Sequence, residues 1–541
     1  MRKTIRPAFL LLILALSSSV VAQPEVRISG SERQLAEKIT AEQLKDYLTF
    51  VASDAIGGRE TPSAGQNVTA QFIAFHLKQW GFKPGGDNGT FFQKITLNKN
   101  VPVPEKTLLK IGDKNFAYGR DFYCFSGSGS AEGTFVFAGN GWMVKSKGID
   151  AYAGVDVKDK IVVLSAHQGG LVPLPPAGVT QEDITKGTSG VDWASPVQYA
   201  ALKGAKAVIV IVHPEIEKLW RTLVGAAGLS AEGLDVPLST PDPAIPVLFV
   251  RARVGQALLE GEAGNETSGQ SFVIRKTGAV GFTGEIKKFS TQNVVAIWEG
   301  RDRKLKEEMV AVGAHYDHLG SDVPEGDEDV IFNGADDDGS GTVAVLAMAE
   351  TLAKTKTRPK RSVLFVWHTS EERGQRGSRY FTKYPTVDLK KVVTQLNIDM
   401  IGRSKREGDT NPANKDLTKP NEIYVIGSNM MSSTLGRITL RTNHAFTGME
   451  YNYRYDAPDD PDRIFYRSDH FFYAQKGIPI VFWFDGIHED YHQPGDEVEK
   501  IDFAKMERVT RTIFLTLLKV ADLDQRPAVD QKLPPELTNP K

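Results

Sequence analysis

The chain has 541 residues, with 65 Lys and Arg against 67 Asp and Glu, a formal net charge of −2 and a hydrophobic share of 41 %. That balance excludes the strongly basic surface of a nucleic-acid or anionic-membrane partner, and the length exceeds one ordinary domain. The single cysteine, Cys124, excludes any internal disulfide and reads as a small buried apolar residue.

Arg2, Lys3 and Arg6 precede an apolar run from Ala8 to Leu16, and Val20 and Ala22 stand at the small-residue positions before a cut. This is the pattern of a secretory signal peptide over residues 1–22, too short to span a bilayer. No other run is long and apolar enough to cross one. Export without disulfides predicts a secreted or periplasmic bacterial protein, cleaved near Ala22 and without stable membrane insertion.

Residues 23–126 read as the first part of the main domain. "SERQLAEKITAEQLKDYLTFVAS" has helical apolar spacing, with Thr40 and Gln43 set for a capping box, and "NVTAQFIAFHLKQWGF" is a helix that stops near Gly81. From 127 the texture changes. "GTFVFAG", "KIVVLSA", "KAVIVIV" and "IPVLFV" are short β-rich runs divided by Gly- and Pro-rich stretches and one helix, "SPVQYAALKGA". They predict a β-rich module inserted over 127–285.

Over 286–525 strands and helices alternate. "EEMVAVGAHYDH", "RSVLFVWHTSEE", "VVTQLNIDMIG" and "GIPIVFWFDG" are strands, and "GSGTVAVLAMAETLAKT" is a helix. The fold class predicted is α/β, with a mostly parallel central sheet covered by helices. Residues 526–541 are Pro-rich and predict a flexible tail.

The chemistry lies at the predicted strand ends. These carry His315 and Asp317; then Asp336, Asp337 and Asp338 before a helix; Glu371 and Glu372; Asp399; and, after the last strand, His492. Ligands bind at the C-terminal ends of strands in open α/β sheets, so these groups should converge on one crevice. Carboxylates packed that closely repel and lose solvation. A pair of zinc-like ions removes that cost, with one carboxylate between them. Glu371, beside the ligand Glu372, is then free to act as a base.

"HEDYH" at His488 to His492 has the spacing of a helical zincin site. Gly486 and Pro494 flank it too closely for a stable helix, and "QPGD" is a turn signal. His492 therefore reads as a ligand, and His488 and Glu489 as loop residues. Ser468, Asp469 and His470 adjoin in sequence, which makes no triad; they read as support for the pocket. His76, His167, His213 and His444 read as structural.

The strings "GAHYDHLG", "NGADDDGSGT", "SEERGQRGS", "NIDMIG", "SDHFFYAQKGIPI" and "DYHQPGDE" resemble the co-catalytic dizinc aminopeptidase family, which also holds glutamate carboxypeptidase, glutaminyl cyclases and the transferrin receptor. "ASDAIGGRETPSAG" and "GFKPGGDNGTFFQ" resemble its leader region. "DVKDKIVVLSA" with "VQYAALKGAKAVIVIV" resembles a protease-associated domain. The resemblance implies two zinc ions, with cobalt or manganese as substitutes. It implies one zinc on His315 and Asp399, the other on Glu372 and His492, and Asp337 bridging them. It further implies that Asp317 orients the His315 imidazole, that Glu371 is the general base and that Tyr491 stabilises the oxyanion. The peptide between Asp337 and Asp338 is cis in many members of that family.

The function expected is a secreted zinc aminopeptidase acting on peptide substrates. A carboxypeptidase or dipeptidase on the same site is the alternative, and Arg454, Arg463 or Arg467 could then bind a terminal carboxylate. A non-catalytic binding protein with a receptor-like fold is the reading from another class; the intact ligand set argues against it.

Overall fold

The structure is a computed structural model and describes residues 26–538 apart from 167–169, 235–244, 263, 265–269 and 323–327. The expected signal peptide and His167 lie outside the described residues. Among the described residues no helix is long and apolar enough to cross a membrane.

Ten strands form the larger sheet: β1 (Lys83–Pro84), β2 (Phe92–Pro102), β3 (Leu229–Ala231), β4 (Gly284–Trp298), β5 (Met309–His315), β6 (Ser362–His368), β7 (Val392–Ile398), β8 (Glu422–Ile426), β9 (Glu450–Asn452) and β10 (Ile480–Phe484). Their spatial order is β3-β2-β4-β6-β5-β7-β10-β8-β9, with β1 paired to the end of β4. The middle four, β6-β5-β7-β10, run parallel. Antiparallel pairs flank them on both sides.

The helices that frame the site are α1 (Ala41–Val51), α2 (Ala64–Gln79), α3 (Trp220–Ala226), α4 (Gly341–Thr355), α5 (Arg376–Lys383) and α6 (Phe503–Ala521). The middle strands are apolar on both faces because helices cover both. Val310, Val312 and Ala314 of β5, with Val363, Phe365 and Trp367 of β6, pack against α1, α2, α4 and α6. The alternate residues Met309, Ala311, Leu364 and Val366 face Phe381 of α5. This is the two-residue period of a strand.

α4 is buried on its whole circumference from Gly341 to Leu352, as a helix without a polar face must be. Trp367 is fully buried and its indole N–H donates to the Thr342 carbonyl at 3.0 Å, tying β6 to the first turn of α4. Truncating it to Ala should cost about 3–5 kcal/mol. At α1 only half of the expected capping box forms. Thr40 Oγ1 accepts from the Gln43 amide at 3.1 Å, while the Gln43 side chain turns to Glu350.

A second sheet has eight strands, in spatial order Lys114–Phe116, Leu108–Ile111, Phe272–Phe282, Gly129–Phe137, Ile161–Ser165, Ala207–Ile211, Val247–Val250 and Phe122–Ser126. It begins at Leu108, ahead of the compositional change at 127. Leu108–Ile111 pairs with Phe272–Phe282, and Phe122–Ser126 with Val247–Val250, and such long-range pairing leaves no local signal. β3, from the same stretch of chain, crosses to the larger sheet and pairs with β2. Cys124 is buried in this second sheet. The described part of the segment expected as a flexible tail, 526–538, contacts the body of the protein. Arg526 donates to Glu308 at 2.8 Å, the Asp530 amide donates to the Met431 carbonyl at 3.1 Å, and Leu537 is buried.

Candidate metal centre

Because β6, β5, β7 and β10 are parallel, their C-terminal ends open on one side. His315 is the last residue of β5, and Asp399 directly follows β7. Glu371 and Glu372 lie on the loop after β6, and Tyr491 and His492 on the loop after β10. Asp337 sits in the turn Ala335–Ser340 that leads into α4, and the Asp337–Asp338 peptide is cis.

Asp337 is the centre of the arrangement. Its Oδ1 is 3.4 Å from His315 Nε2, and its Oδ2 is 3.2 Å from His492 Nε2. His315 Nε2 is also 3.6 Å from Asp399 Oδ2. His492 Nε2 is 3.1 Å from Glu372 Oε2. The five side chains expected as ligands are thus brought together and buried. Glu371 Oε2 lies 4.0 Å from His315 Nε2, and its side chain is 12 % exposed against 3 % for Glu372. Glu371 and Tyr491 line a small cleft together with the ligand candidates. The Tyr491 ring stacks on that of His492, with centroids 3.9 Å apart.

The protonation pattern follows from this crowding. Burial works against a charge on His492, but Glu372 and Asp337 outweigh it and push its pKa up to about 10. His315 is likewise held well above its ordinary value, against burial, by Asp399, Asp337 and Glu371. Burial would raise Asp337 and Glu372, yet their imidazole neighbours hold both below the carboxylate range. Burial pushes Glu371 well up, with Asp469, Asp399 and Glu372 adding repulsion against the opposing His315. Without metal the centre is therefore a set of carboxylates neutralised by protons, which a divalent cation can displace.

Other residues hold this set in place. Ser468 donates its hydroxyl to Asp399 Oδ2 at 2.6 Å and accepts from Asn397 Nδ2 at 2.9 Å, a pocket-supporting role of the kind expected for this segment. His470 is buried against the Phe465 carbonyl. Asp338 is spent on the scaffold, accepting from the amides of Gly341, Met400 and His315. Asp496 Oδ2 accepts from the amides of Asp336 and Asp337, both at 3.0 Å. Asp317 behaves differently from expectation. The hydrogen-bond partner of His315 Nδ1 is the Asp317 backbone carbonyl at 3.1 Å, while the carboxylate lies 3.8 Å away and accepts from the Glu371 amide at 3.0 Å. The side chain therefore anchors the loop that carries Glu371.

Two residues at the site have no role in the sequence reading. His318 is fully buried, with Nδ1 2.7 Å from Glu372 Oε1 and 3.9 Å from Asp337 Oδ2. It stands inside "GAHYDHLG", so a second histidine three residues after His315 is the signal that could have found it. Gly334, at φ 56°, lies so close that a Cβ there would meet the His318 ring at 2.5 Å. Arg59 is fully buried and donates to the carbonyls of Val51, Tyr316, Asn333 and Gly334. One guanidinium thus ties together the loops that carry His318 and Asp337.

Residues 485–497 form turns and no helix. His488 points away from the centre, with Nε2 3.4 Å from Asp336 Oδ2. Of the three arginines weighed for carboxylate binding, Arg467 lines the cleft. Arg454 pairs with Asp416 at 2.5 Å, and Arg463 lies over the Tyr466 ring.

The donor set fits zinc. His315, Asp337 and Asp399 form one group whose donor atoms lie close enough to share an ion, and His318, Asp337 and Glu372 form another. His318 Nδ1 and Glu372 Oε1 are buried 2.7 Å apart without a well-formed hydrogen bond between them, a cost that a bound cation relieves. Mixed imidazole and carboxylate donors suit zinc's preference for nitrogen and oxygen ligands.

Comparisons with known proteins bear on the same residues. The model of Peptidase family M28 matches residues 293–517. Leupeptin-inactivating enzyme 1 of Streptomyces exfoliatus is 26 % identical over 302 residues, 52 % of this chain and 60 % of that enzyme. A probable leucine aminopeptidase of Arthroderma benhamiae is 28 % identical over 222 residues, 40 % of this chain and 53 % of that protein, so the matched stretch spans little more than half of such relatives. Aminopeptidase YwaD of Bacillus subtilis is 24 % identical over 535 residues, 96 % of this chain and 93 % of its own length. Among solved structures, BSAP, a zinc aminopeptidase from Bacillus subtilis, superposes with a TM-score of 0.55 at 19 % identity, over 91 % of this chain and 98 % of that one. An aminopeptidase from Aneurinibacillus sp. strain AM-1 gives 0.55 at 18 % identity, over 93 % and 98 %. These two share the fold. Residues 293–517, the stretch similar to Peptidase family M28, hold all five of the side chains expected as ligands.

Proposed function

We propose that the protein is a secreted zinc exopeptidase, an aminopeptidase that hydrolyses N-terminal peptide bonds. Two zinc ions would be held, one by His315 and Asp399 and the other by Glu372 and His492, with Asp337 shared. The observation that carries this reading is the two-sided use of Asp337, whose oxygens face His315 and His492 at 3.4 and 3.2 Å. His318 adds a third imidazole beside Glu372. The names of the relatives support the aminopeptidase assignment, and the N-terminal pattern supports secretion.

Zinc in such a site polarises a carbonyl and lowers the pKa of water toward neutrality. The chain's own residues do the rest. Glu371, the acidic group most open to the cleft, takes a proton from the attacking water and returns it to the leaving amine. The Asp317 carboxylate fixes the backbone of Glu371, so the base keeps its place. Tyr491, held against the ring of His492, donates its hydroxyl to the developing oxyanion. Met400, Ile464, Phe482, Phe484 and Ile487 give the cleft an apolar wall that suits an apolar terminal side chain. We read the second sheet as the inserted protease-associated domain, which limits access to the cleft.

Arg467 favours a second reading. A cation in the cleft can bind a terminal carboxylate, as a carboxypeptidase or dipeptidase requires. A panel of aminoacyl-nitroanilides against N-blocked peptides, with and without chelator, separates the two. The proposal expects nitroanilide cleavage that chelator stops and zinc restores. Cleavage confined to N-blocked peptides would give the site to the second reading.

A further inference from the structure

The segment that builds the second sheet also reaches the metal centre, through α3. Trp220 anchors α3 to that sheet. It is buried, its indole N–H donates to the Gly119 carbonyl at 2.6 Å, and its ring meets Tyr123 edge-on. The next residues point the other way. Arg221 donates to the Leu319 carbonyl at 2.8 Å and pairs with Glu60. The Thr222 carbonyl accepts from Arg373, the residue after Glu372, at 3.0 Å. Gly225 is buried, and a Cβ there would meet the Arg373 guanidinium at 2.1 Å, so a glycine is what lets the helix approach this closely. Thr222 Oγ1 lies 3.1 Å from His492 Nδ1.

We propose that Thr222 is a positioning residue for His492, so that the segment carrying the second sheet completes the metal centre of the first. This rests on the reading of His492 as a zinc ligand. A metal-binding histidine offers one ring nitrogen and donates the N–H of the other to a fixed acceptor, which sets both tautomer and ring orientation. His492 Nε2 faces Glu372 Oε2 and Asp337 Oδ2 at 3.1 and 3.2 Å. With Nδ1–H donating to Thr222 Oγ1, Nε2 keeps its lone pair on the metal side. The acceptor is set by backbone that Arg373 holds, and Arg373 is joined in sequence to Glu372. Movement of α3 would therefore disturb two ligands together. On this account the second sheet's segment is part of the site as well as a neighbour of it.

The test is zinc affinity of the full chain, measured by competition with a chromogenic chelator, for wild type, Thr222→Val, Thr222→Ser and His492→Ala. The unfolding temperature of each metal-free protein is measured alongside. Thr222→Val keeps the shape and loses the hydroxyl; it should bind zinc about 10–100-fold more weakly, with an unchanged metal-free unfolding temperature. Thr222→Ser keeps the hydroxyl and should stay near wild type. If Thr222→Val does not fold, Thr222→Ala at this half-buried position reads the same loss. Wild-type affinity in Thr222→Val beside a weakened His492→Ala overturns the proposal alone. Equal weakening in the Val and Ser variants assigns the effect to packing and also overturns it. Unchanged affinity in His492→Ala overturns it together with the ligand reading.

Discussion

Asp336 and Asp337 are neighbours in the chain, but their side chains enter different buried clusters. Asp336 faces His488 and lies beside Asp485, Asp496, Arg403 and Lys505. The cations there belong to the protein. Arg403 reaches Asp490 at 2.8 Å and Asp496 at 3.6 Å, and Lys505 is held by the Arg403 carbonyl and Thr418. Asp337 faces three imidazoles and two further carboxylates, at the edge of a cleft. Among the described residues no lysine or arginine forms an ion pair with it; the buried Arg59, which feels its charge, donates to four backbone carbonyls instead. Burying a carboxylate requires a compensating charge. One cluster carries that charge in its sequence and can be closed; on the proposed reading the other leaves it to an exchangeable ion, at the edge of the cleft. Possession of histidines and carboxylates therefore does not separate a metal centre from scaffold, whereas the source of the positive charge does.

Substitutions on either side of that divide should give opposite signatures. The largest effect is expected for Glu371→Gln, which should lower turnover by about 10²–10⁴-fold while zinc per chain stays unchanged; kcat within a few-fold of wild type would remove Glu371 from the mechanism. Next in size is Lys505→Met in the closed cluster. It leaves Asp485 without its lysine, while Asp336 keeps His488 and Arg403, and should cost roughly 3–5 kcal/mol of unfolding free energy, read by urea denaturation, again with full zinc content in the folded fraction. Loss of zinc from a folded Lys505→Met protein would mean that the two clusters are not separate.

A pH effect of intermediate size follows from His492, whose pKa near 10 exceeds its unfolded value near 6.5. In the metal-free protein its protonation adds stability that is fully present below about pH 6.5 and is lost as pH rises through about 10. Zinc must displace that proton, so apparent zinc affinity should rise with pH toward 10. Calorimetry at pH 7 in buffers of different ionisation heat should register proton release on zinc binding; buffer-independent heats would contradict the assignment. The smallest effect is expected for His488→Gln, which should leave zinc content as in wild type, since His488 faces Asp336 in the closed cluster.

The parallel strands and the residues at their ends were legible because each stands in an apolar run of its own followed by a distinct polar motif. The convergence of His315, Asp337, Glu372, Asp399 and His492 needs only that those strands be parallel. What escaped depends on contacts far apart in sequence. Thr222 and His492 are separated by 270 positions, and Arg59 and Tyr316 by 257. No local pattern marks either pair. Asp317 shows a subtler limit. Its proximity to His315 could be read from spacing, but whether carbonyl or carboxylate meets the ring depends on how the loop turns. The strands from Leu108 to Ser126 pair into the second sheet although their stretch reads as the first part of the main domain, since pairing partners are not written in composition.

The central claim is that the cluster around Asp337 is completed by metal. Metal analysis of the purified wild-type chain and of Asp337→Ala, both shown to be folded by circular dichroism, tests it most directly. Bound zinc in the wild type, removed by chelator and missing from Asp337→Ala, is the result expected. Wild-type zinc content in the folded Asp337→Ala protein would contradict it.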